Sequence, residues 1–427
     1  MPKIPLSLRR PPKTIEPFWE TTDHKTVRLY HGDVIAVLQQ MPAKSVQCVV
    51  TSPPYWGLRD YGEDKSLEIG SEKTPDEFVA KMVAVFREVR RVLRDDGTLW
   101  LNLGDSYNAN TGAGFNGNSK RPESARETVI KTANLKPGNL VGIPWRVALA
   151  LQADGWVLRQ DIIWHKPSPM PESVKNRCTK AHEYIFLLTK SQRYFYDAEA
   201  IKEKRPGAKP WTKRNDQKFV GEVGSDTRTG FSKIEEGQVF DTANKRSVWT
   251  VSSQGYDGAH FATFPPKLIE PCIKAGTSEK GCCAKCCAPW RRVTADLGTE
   301  GGHQHQRRGG EGNPYRLEKQ TGLAEGGAGA NWITKTVGWE PTCECNCSRV
   351  VPCVVADIFV GSGTTCCVAI AHGRRSVGID LSKKYLKNNA IPRIEGGLLS
   401  RPALARLTGK TPKRLRLGDP VEEVTDF

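Results

Sequence analysis

The sequence has no uninterrupted apolar run that reaches the about 20 residues a membrane-spanning helix needs. Its first residues, Met1-Pro2-Lys3-Ile4-Pro5, carry charge and proline where a secretory signal has an apolar segment. Acidic residues are too few to balance the basic ones, 47 against 63, which leaves a formal net charge of +16. We therefore predict a cytoplasmic chain with no membrane contact and a polyanionic partner, because neutralised phosphates release condensed counterions.

Strand and helix signals alternate along much of the chain. Val46–Thr51 is a short apolar run that ends at a proline pair, the pattern of a buried strand entering a loop. Thr74-Pro75-Asp76-Glu77 is a capping box, and apolar residues at helical spacing follow it towards Gly97, where we expect the helix to end. Further segments of this kind are a strand over 98–103, a helix over 143–152, and strands over 157–164 and 183–189. This order predicts an α/β fold with a parallel sheet.

A glycine turn follows a second apolar strand near the end of the chain. Val354–Phe359 is predicted as the strand, and Val360–Thr365 as a tight turn that opens a helix. Glycines let the backbone approach a ligand, and the helix start presents amide groups. Asp380 ends the next predicted strand, where a carboxylate accepts hydrogen bonds from ribose hydroxyls. Because Cys366 replaces the third glycine of a dinucleotide fingerprint, the pattern favours a nucleoside without a pyrophosphate; the alternative is an ordinary turn without a ligand.

The loop after Val46–Thr51 has the composition of a catalytic loop. It reads Ser52-Pro53-Pro54-Tyr55-Trp56 and lies at the carboxyl end of a strand, where open α/β sheets place their sites. An aromatic amine becomes nucleophilic when acceptors bind its hydrogens, and the Ser52 hydroxyl and Pro53 carbonyl are two such acceptors. Tyr55 offers a face for an extruded base. The alternative is a proline-rich connection that happens to end in aromatic residues.

Together the two loops resemble those of DNA amino-methyltransferases, in the subgroup whose catalytic motif precedes the cofactor motif. Thr51–Tyr55 matches their catalytic loop, and Asp357–Thr365 matches their cofactor loop with Ile358 in place of the usual proline. The resemblance implies a Rossmann-like S-adenosylmethionine-dependent methyltransferase sheet in which the two ends of the sequence supply neighbouring strands. It also implies methyl transfer from S-adenosylmethionine to the exocyclic amino group of a base flipped out of double-stranded DNA.

The resemblance assigns roles to the residues that match its motifs. The implied catalytic residues are Ser52, Pro53, Pro54 and Tyr55. The implied cofactor-binding residues are Asp33, Phe261, Asp357, Phe359, Gly361, Ser362, Gly363, Thr364, Thr365 and Asp380. Asp33 is expected at the adenine of the cofactor, and Phe261 in a segment that closes over its methionine part.

The resemblance covers about residues 27–200 and 248–395 and sets the domain organisation. The expected parts are a basic, proline-rich arm (1–26), a catalytic part (27–200), a target-recognition insertion (201–247), a cofactor-lid segment (248–282), a cysteine-rich insertion with a glycine-rich loop (283–347), a cofactor-binding part (348–396) and a basic tail (397–427). The target-recognition insertion mixes basic and aromatic residues suited to phosphates and bases, and a surface loop without a ligand is the alternative. Its predicted DNA-binding residues are Lys204, Arg205, Lys209, Trp211, Lys213 and Arg214.

Most of the 13 cysteines lie between Cys272 and Cys367. In a cytoplasmic chain, close cysteine pairs indicate metal or redox sites more often than disulfides. Two close pairs predict one structural Zn²⁺ bound by four thiolates, and free thiols are the alternative. The predicted ligands are Cys283, Cys286, Cys343 and Cys345, with Cys282, Cys287 and Cys347 nearby as competing choices.

Several functional alternatives remain at this point. In the resembling group, Ser before Pro-Pro-Tyr is commoner in enzymes that act on cytosine N4, so we expect cytosine N4 with adenine N6 as the alternative. Methylation at cytosine C5 is not expected, because neither Pro271-Cys272 nor Pro352-Cys353 lies on a catalytic loop. An inactive, zinc-bearing DNA-binding protein and an RNA or protein methyltransferase are the other candidates. The sequence does not distinguish a monomer from a homodimer.

Overall fold

The computed structural model describes residues 15–21, 26–57, 67–108, 135–169, 171–204, 242–253, 264–296 and 334–396. The chain divides into two units. The first takes Met1–Asp197, Arg246–Trp290 and Pro341–Phe427, and the second takes Ala198–Lys245 and Arg291–Glu340. Within the described ranges, no helix is both long enough and apolar enough to cross a bilayer.

The described part of the chain contains strands and helices in mixed order. The strands are β1 (Trp19–Glu20), β2 (Val27–His31), β3 (Val46–Thr51), β4 (Leu93–Leu103), β5 (Val157–His165), β6 (His182–Thr189), β7 (Glu203–Lys204), β8 (Thr242–Ala243), β9 (Val248–Thr250), β10 (Cys282–Cys283), β11 (Trp290–Asp296), β12 (Thr334–Pro341), β13 (Val350–Val351), β14 (Val354–Asp357) and β15 (Arg375–Asp380). The helices are α1 (Val34–Gln40), α2 (Pro75–Val92), α3 (Ile143–Ala153), α4 (Pro266–Gly276), α5 (Thr364–Ala371), α6 (Lys383–Tyr385) and α7 (Ile391–Glu395). A π-helical turn, Leu386–Ala390, joins α6 to α7.

A nine-stranded sheet forms the centre of the first unit, in the order β1-β2-β15-β14-β3-β4-β6-β5-β9. β1 is antiparallel to β2, and β6 is antiparallel to both β4 and β5. The remaining neighbours are parallel. β2, from early in the chain, pairs with β15, from late in the chain, and β14 pairs with β3. The predicted α/β fold is therefore confirmed, with the two ends of the sequence supplying neighbouring strands.

Helices cover both faces of this sheet. One apolar layer joins residues of α1, α2 and α3 to β3 and β4, and the other joins residues of α5 and α7 to β2. Within β2, Leu29 belongs to the second layer and Tyr30 to the first, because successive side chains of a strand point to opposite faces. This two-sided cover makes the sheet doubly wound and leaves its carboxyl edge open to the loops.

Helix α2 has the predicted start but a different end. Thr74 and Glu77 form the capping box, with the Thr74 hydroxyl accepting from the Glu77 amide at 3.2 Å. The helix ends at Val92, and Leu93 is already extended and paired with Val46, so the prediction of an end at Gly97 was wrong. Gly97 belongs to β4, where a Cβ would lie 2.8 Å from the carbonyl oxygen of Gln47. The glycine permits close strand packing there, and it does not cap the helix.

The second unit contains two small sheets within its described residues. β7 and β8 pair antiparallel, and β11 pairs with β12. Arg291 forms an ion pair with Glu340, and the Arg292 guanidinium lies 4.4 Å from the ring centroid of Trp339. Lys204, in β7, belongs to this unit. The other predicted DNA-binding residues, at 205, 209, 211, 213 and 214, lie outside the described ranges, as do the arm over 1–14, the glycine-rich loop and the tail after 396.

Candidate functional site

The carboxyl ends of four neighbouring strands, β2, β15, β14 and β3, face one cavity. All four run in the same direction, so the loops that follow them meet at one edge of the sheet. The predicted site residues that line this cavity are Asp33, Ser52, Pro53, Pro54, Tyr55, Asp357, Phe359, Gly361, Ser362, Thr364 and Asp380. The structure therefore brings the predicted catalytic loop and the predicted cofactor loop together.

Three predicted cofactor residues do not line the cavity or cannot be placed. Gly363 precedes α5 with a φ of +79°, and Thr365 is fully buried below the loop. Both are sequence neighbours of Thr364, which lines the cavity, so they support the loop that carries it. Phe261 lies outside the described residues, although Phe264, three positions on, lines the cavity.

A buried carboxylate joins the two loops. Asp357, the last residue of β14, accepts a hydrogen bond from the Thr51 hydroxyl at 2.7 Å and another from the Thr365 hydroxyl at 2.6 Å. The Phe359 amide donates to the same carboxylate at 3.1 Å. Burial raises the pKa of Asp357 to about 6, against the opposing effect of these hydrogen bonds. Thr51 ends β3 directly before Ser52, so this carboxylate fixes the start of the catalytic loop relative to the cofactor loop.

Asp380 holds the glycine turn from the other side. Its carboxylate accepts hydrogen bonds from the Gly361 amide and the Ser382 amide, each at 2.8 Å. Gly361 has a φ of +48°, a conformation that glycine adopts at little cost. An ionised carboxylate has about four acceptor positions, so Asp380 can hold the turn and still accept from a ribose.

The hydroxyls of the cofactor loop are tied to the last helix. The Arg393 guanidinium donates to the Ser362 hydroxyl and to the Thr364 hydroxyl, each at 2.9 Å. Asp33 has an equivalent local task, because its carboxylate accepts from the Ala36 amide at 2.9 Å and caps α1. Hydrogen bonds within the protein therefore fix the shape of the part of the cavity wall where α1 and α5 begin.

The charge of the cavity suits a cationic ligand. Four carboxylates line it, from Asp33, Glu68, Asp357 and Asp380, and its described lining contains no lysine, arginine or histidine. A pyrophosphate would meet these carboxylates without a neutralising cation, whereas a sulfonium nucleoside would be attracted. The apolar part of the wall includes Val34, Ile69, Phe264, Phe359, Ile379 and Tyr385. The residues present therefore fit S-adenosylmethionine better than a dinucleotide.

Sequence reasoning missed the groups that hold Tyr55. The Tyr55 hydroxyl donates to the Glu183 carboxylate at 2.6 Å and lies 3.3 Å from the amide oxygen of Asn102. Glu183 in turn forms an ion pair with Lys166. A Cβ at Gly104 would lie 2.5 Å from Cε2 of Tyr55, so the ring packs directly on the backbone there. These residues lie in or next to strands β4, β5 and β6, and the pairing of those strands brings them together.

Glu68 was also missed. This residue is 3% exposed and lines the cavity beside the catalytic loop. The Lys81 ammonium of α2 donates to the Glu68 carbonyl at 3.0 Å, and the Gly57 amide donates to the Gly70 carbonyl at 2.8 Å. No periodic pattern surrounds Glu68 in the sequence, so nothing local marked it as a wall residue.

The four predicted zinc ligands come together within the first unit. One sulfur atom from each of Cys283, Cys286, Cys343 and Cys345 lies within 4.8 Å of every other. Tetrahedral Zn–S bonds of about 2.3 Å place sulfur atoms about 3.8 Å apart, so a small contraction fits the ion. The Lys285 amide donates to Cys283 Sγ at 3.4 Å. Hydrogen bonds from the Cys286 amide first, and from the Lys285 amide second, lower the pKa of Cys283 to about 6. Such donors favour the thiolate that a metal requires.

The competing cysteines lie outside this group. Cys282 is buried beside Gln47, whose amide lies 3.7 Å from its sulfur, and Cys347 Sγ lies 3.7 Å from the Arg349 carbonyl. Antiparallel pairing of β10 with β13 brings Cys283 close to the second cysteine segment. The geometry therefore selects one set of four from the seven clustered candidates named from the sequence.

Comparison with known proteins gives a consistent set of similarities. A profile of the DNA methylase family matches residues 46–284 and 353–391. The type II methyltransferase M.XycI of Xanthomonas campestris pv. cyanopsidis is 46% identical over 250 residues, 58% of this chain and 72% of that protein. M.SmaI of Serratia marcescens, also a type II methyltransferase, is 41% identical over 258 residues, 60% of this chain and 77% of that protein. Among solved structures, the cytosine-N4-specific PvuII DNA methyltransferase is 16% identical, with a TM-score of 0.48 over 90% of this chain and 91% of that one.

Proposed function

The chain belongs to the DNA methylase family of N6/N4 amino-methyltransferases, and we propose that within it the enzyme methylates N4 of cytosine in duplex DNA. The observation that carries the proposal is the shared cavity of Ser52–Tyr55 and the Asp357–Thr364 loop, joined through the Thr51–Asp357 hydrogen bond. Transfer between two bound substrates requires that both be held close together. A loop that activates the nucleophile and a loop that binds the nucleoside, lining one cavity, meet this requirement.

The residues of the cofactor loop would hold S-adenosylmethionine, which supplies an electrophilic methyl group on a cationic sulfur. Asp380, which lines the cavity, would accept from the ribose, and the Gly361 turn would let the backbone approach it. Asp33, before α1, is proposed to meet the adenine. Glu68 adds negative charge from the side of the catalytic loop, which favours a positively charged ligand.

The catalytic loop would prepare the amino group of the base. The Ser52 hydroxyl and the Pro53 carbonyl accept hydrogen bonds from its two N–H groups, which directs the nitrogen lone pair towards the methyl group. Proline restricts φ, so Pro53 and Pro54 hold these acceptors in place before the base arrives. The nitrogen would gain the methyl group as the C–S bond of the donor breaks with its electron pair left on sulfur. One amino proton would pass through the hydrogen-bonded acceptors to solvent, so the product would be a neutral methylamino base. Tyr55 is the proposed stacking face for a base extruded from the duplex.

Cytosine N4 is favoured over adenine N6 by Ser52. Both reactions need the same two acceptors, and the preference rests on the resemblance of Ser-Pro-Pro-Tyr to the loop of N4-specific enzymes. Residues 201–247, basic and aromatic, remain the proposed target-recognition region, and of its six predicted DNA-binding residues Lys204 lies within the described ranges. Because M.XycI and M.SmaI are named type II methyltransferases, we also propose a cytoplasmic role in restriction–modification.

A structural Zn²⁺ at Cys283, Cys286, Cys343 and Cys345 is part of the proposal. The family match stops at residue 284 and resumes at residue 353, so three of these cysteines lie in an insertion. When bound, the metal supplies four bonds that close the insertion at its base. Cys282, next to Cys283, contacts Gln47 near the start of β3, whereas Ser52 follows the end of that strand, so we propose a role in folding and not in the chemistry.

Transfer of a tritiated methyl group to mixed-sequence duplex DNA tests the proposed function, with RNA and a bulk protein as parallel acceptors. We expect label in DNA alone. Label in RNA or protein would contradict the assignment of the substrate. Folded protein that binds the methyl donor in a calorimeter but labels no acceptor would favour a DNA-binding protein without activity.

A further inference from the structure

The loop between β5 and β6, described over residues 166–169 and 171–181, lies at the same edge of the sheet as the catalytic loop. β4 is parallel to β3, and β6 is antiparallel to both β4 and β5. The carboxyl end of β5 and the amino end of β6 therefore point the same way as Thr51 and Ser52. We call these residues the β5–β6 loop.

Contacts fix the β5–β6 loop against the next loop along this edge. The Lys180 ammonium donates to the Asp105 carbonyl at 2.7 Å. The Arg177 guanidinium lies 4.0 Å from the ring centroid of Tyr107 and pairs with Glu172 at 2.6 Å. Asp105 is itself held, because its carboxylate accepts from the amides that start α3. The loop is thus a preformed surface.

The β5–β6 loop is also joined to the proposed base-stacking residue. Lys166, its first residue, pairs with Glu183, and Glu183 accepts the Tyr55 hydroxyl. Lys166 is therefore linked to Tyr55 through one side chain, that of Glu183. This end of the loop is therefore close to the base that the catalytic loop is proposed to act on.

The loop carries a strong excess of positive charge. Over residues 166–181 the sequence has four cations, Lys166, Lys175, Arg177 and Lys180, and one acid, Glu172. Lys175 is exposed and forms no ion pair within the described ranges, so the fold of the loop makes no evident use of its charge. Its exposed neighbours Ser173, Asn176 and Thr179 are hydrogen-bond donors, the side chains that commonly contact phosphate oxygens.

We propose that the β5–β6 loop binds the phosphate backbone of the DNA duplex beside the flipped base, with Lys175 as its exposed phosphate contact. The inference rests on the proposed function, since it needs DNA as the substrate. It places a sequence-independent contact in the first unit, apart from the target-recognition region. The loop positions the duplex, and sequence is read elsewhere.

The salt dependence of DNA affinity tests this surface. Each phosphate contact contributes about 0.9 to the slope of log affinity against log salt concentration. Lys175→Ala removes one contact, so over a roughly fourfold rise in salt the wild type loses about 3.5-fold more affinity than the variant. The weakening is expected to be the same on DNA with and without the recognition sequence. Lys175→Glu lowers affinity further.

Arg193→Ala is the matched control. Arg193 is exposed and follows β6, whose carboxyl end pairs with the start of β5, so it lies at the opposite edge of the sheet. An unchanged slope in Lys175→Ala, in protein with wild-type affinity for the methyl donor, overturns the inference. Wild-type protein that neither binds nor methylates DNA overturns the proposed function instead, so the two failures are distinguishable.

Discussion

Thr51 donates its hydroxyl to Asp357 across 2.7 Å, from the last residue of β3 to the last residue of β14. Thr51 precedes Ser52, and Asp357 opens the loop that runs to Thr364. The buried carboxylate also accepts from Thr365, so it joins both loops and the start of α5. These hydrogen bonds hold two segments that lie 306 residues apart in one geometry.

The pH dependence of stability reports on this junction. The pKa of Asp357 in the folded protein, about 6, lies above its ordinary value of 3.8 because of burial. The folded state therefore binds this proton more tightly, and its stabilising effect is full below pH 4 and is lost as the pH rises through about 6. A difference of about 2 pKa units corresponds to roughly 3 kcal/mol.

Asp357→Asn removes this titration while keeping the shape of the side chain. We compare the free energies of unfolding of the wild type and the variant. Their difference, wild type minus variant, is expected to fall by roughly 3 kcal/mol between pH 4 and pH 7. Urea unfolding at several pH values measures it. A difference that stays constant, or rises with pH, contradicts a raised pKa for the buried Asp357.

Ser52→Ala should abolish most activity without loss of cofactor affinity. Removing one acceptor of a preorganised pair typically lowers kcat by about 100-fold or more. Ser45→Ala is the control, because the Ser45 hydroxyl donates to the Pro42 carbonyl before β3, at the opposite edge of the sheet. Single-turnover rates and calorimetric titration of the methyl donor measure both effects. Full activity in Ser52→Ala removes Ser52 from the mechanism.

Glu183 is predicted to be a positioning residue for Tyr55. Glu183→Gln keeps an acceptor for the Tyr55 hydroxyl but loses the ion pair with Lys166, whereas Glu183→Ala loses both. We expect kcat to fall more in the alanine variant than in the glutamine variant, with unchanged affinity for the methyl donor. Fluorescence of 2-aminopurine at the target position measures base extrusion directly. If Glu183→Ala changes neither extrusion nor kcat, the Tyr55–Glu183 contact serves stability alone.

Glu68→Gln should distinguish a cationic from a neutral ligand. S-adenosylhomocysteine lacks the sulfonium charge of S-adenosylmethionine, so a carboxylate in the wall favours the latter. We expect the variant to bind S-adenosylmethionine roughly tenfold more weakly, about 1.4 kcal/mol, with a smaller loss for S-adenosylhomocysteine. Equal losses for both ligands place Glu68 away from the sulfonium.

The cysteine cluster is expected to bind about one Zn²⁺ per chain. Metal analysis of the purified protein measures it, and removal by a chelator should lower Tm because the bound state is the folded state. Cys345→Ser should lose the metal, while Cys178→Ser and Cys347→Ser should retain it, since neither belongs to the group of four. Metal-free protein with an unchanged Tm contradicts the site.

The sequence was sufficient for the elements that carry local signals. The capping box of Thr74 and Glu77, the proline pair after β3 and the glycine turn after β14 are each encoded within a few residues, and all are present. The close cysteine pairs belong to the same class, since their spacing predicted the ligands that the fold brings together.

Contacts between distant strands were not predictable from one sequence. Tyr55 meets Glu183 across 128 positions, and Gln47 meets Cys282 across 235, because the order of strands in the sheet sets these distances. The end of α2 was misplaced for a related reason. Glycine commonly follows the end of a helix, which is why Gly97 was expected there. Pairing of Leu93 with Val46 in the sheet instead ends α2 at Val92.

The most direct test of the account is the identity of the methylated nucleoside. Mixed-sequence duplex DNA is incubated with the wild type or Ser52→Ala and a deuterated methyl donor, digested to nucleosides and separated before mass spectrometry. We expect deuterated N4-methylcytosine from the wild type and almost none from the variant. Deuterated N6-methyladenine would contradict the base assigned from Ser52, and DNA without label, from protein that binds the donor, would contradict methylation of DNA by this chain.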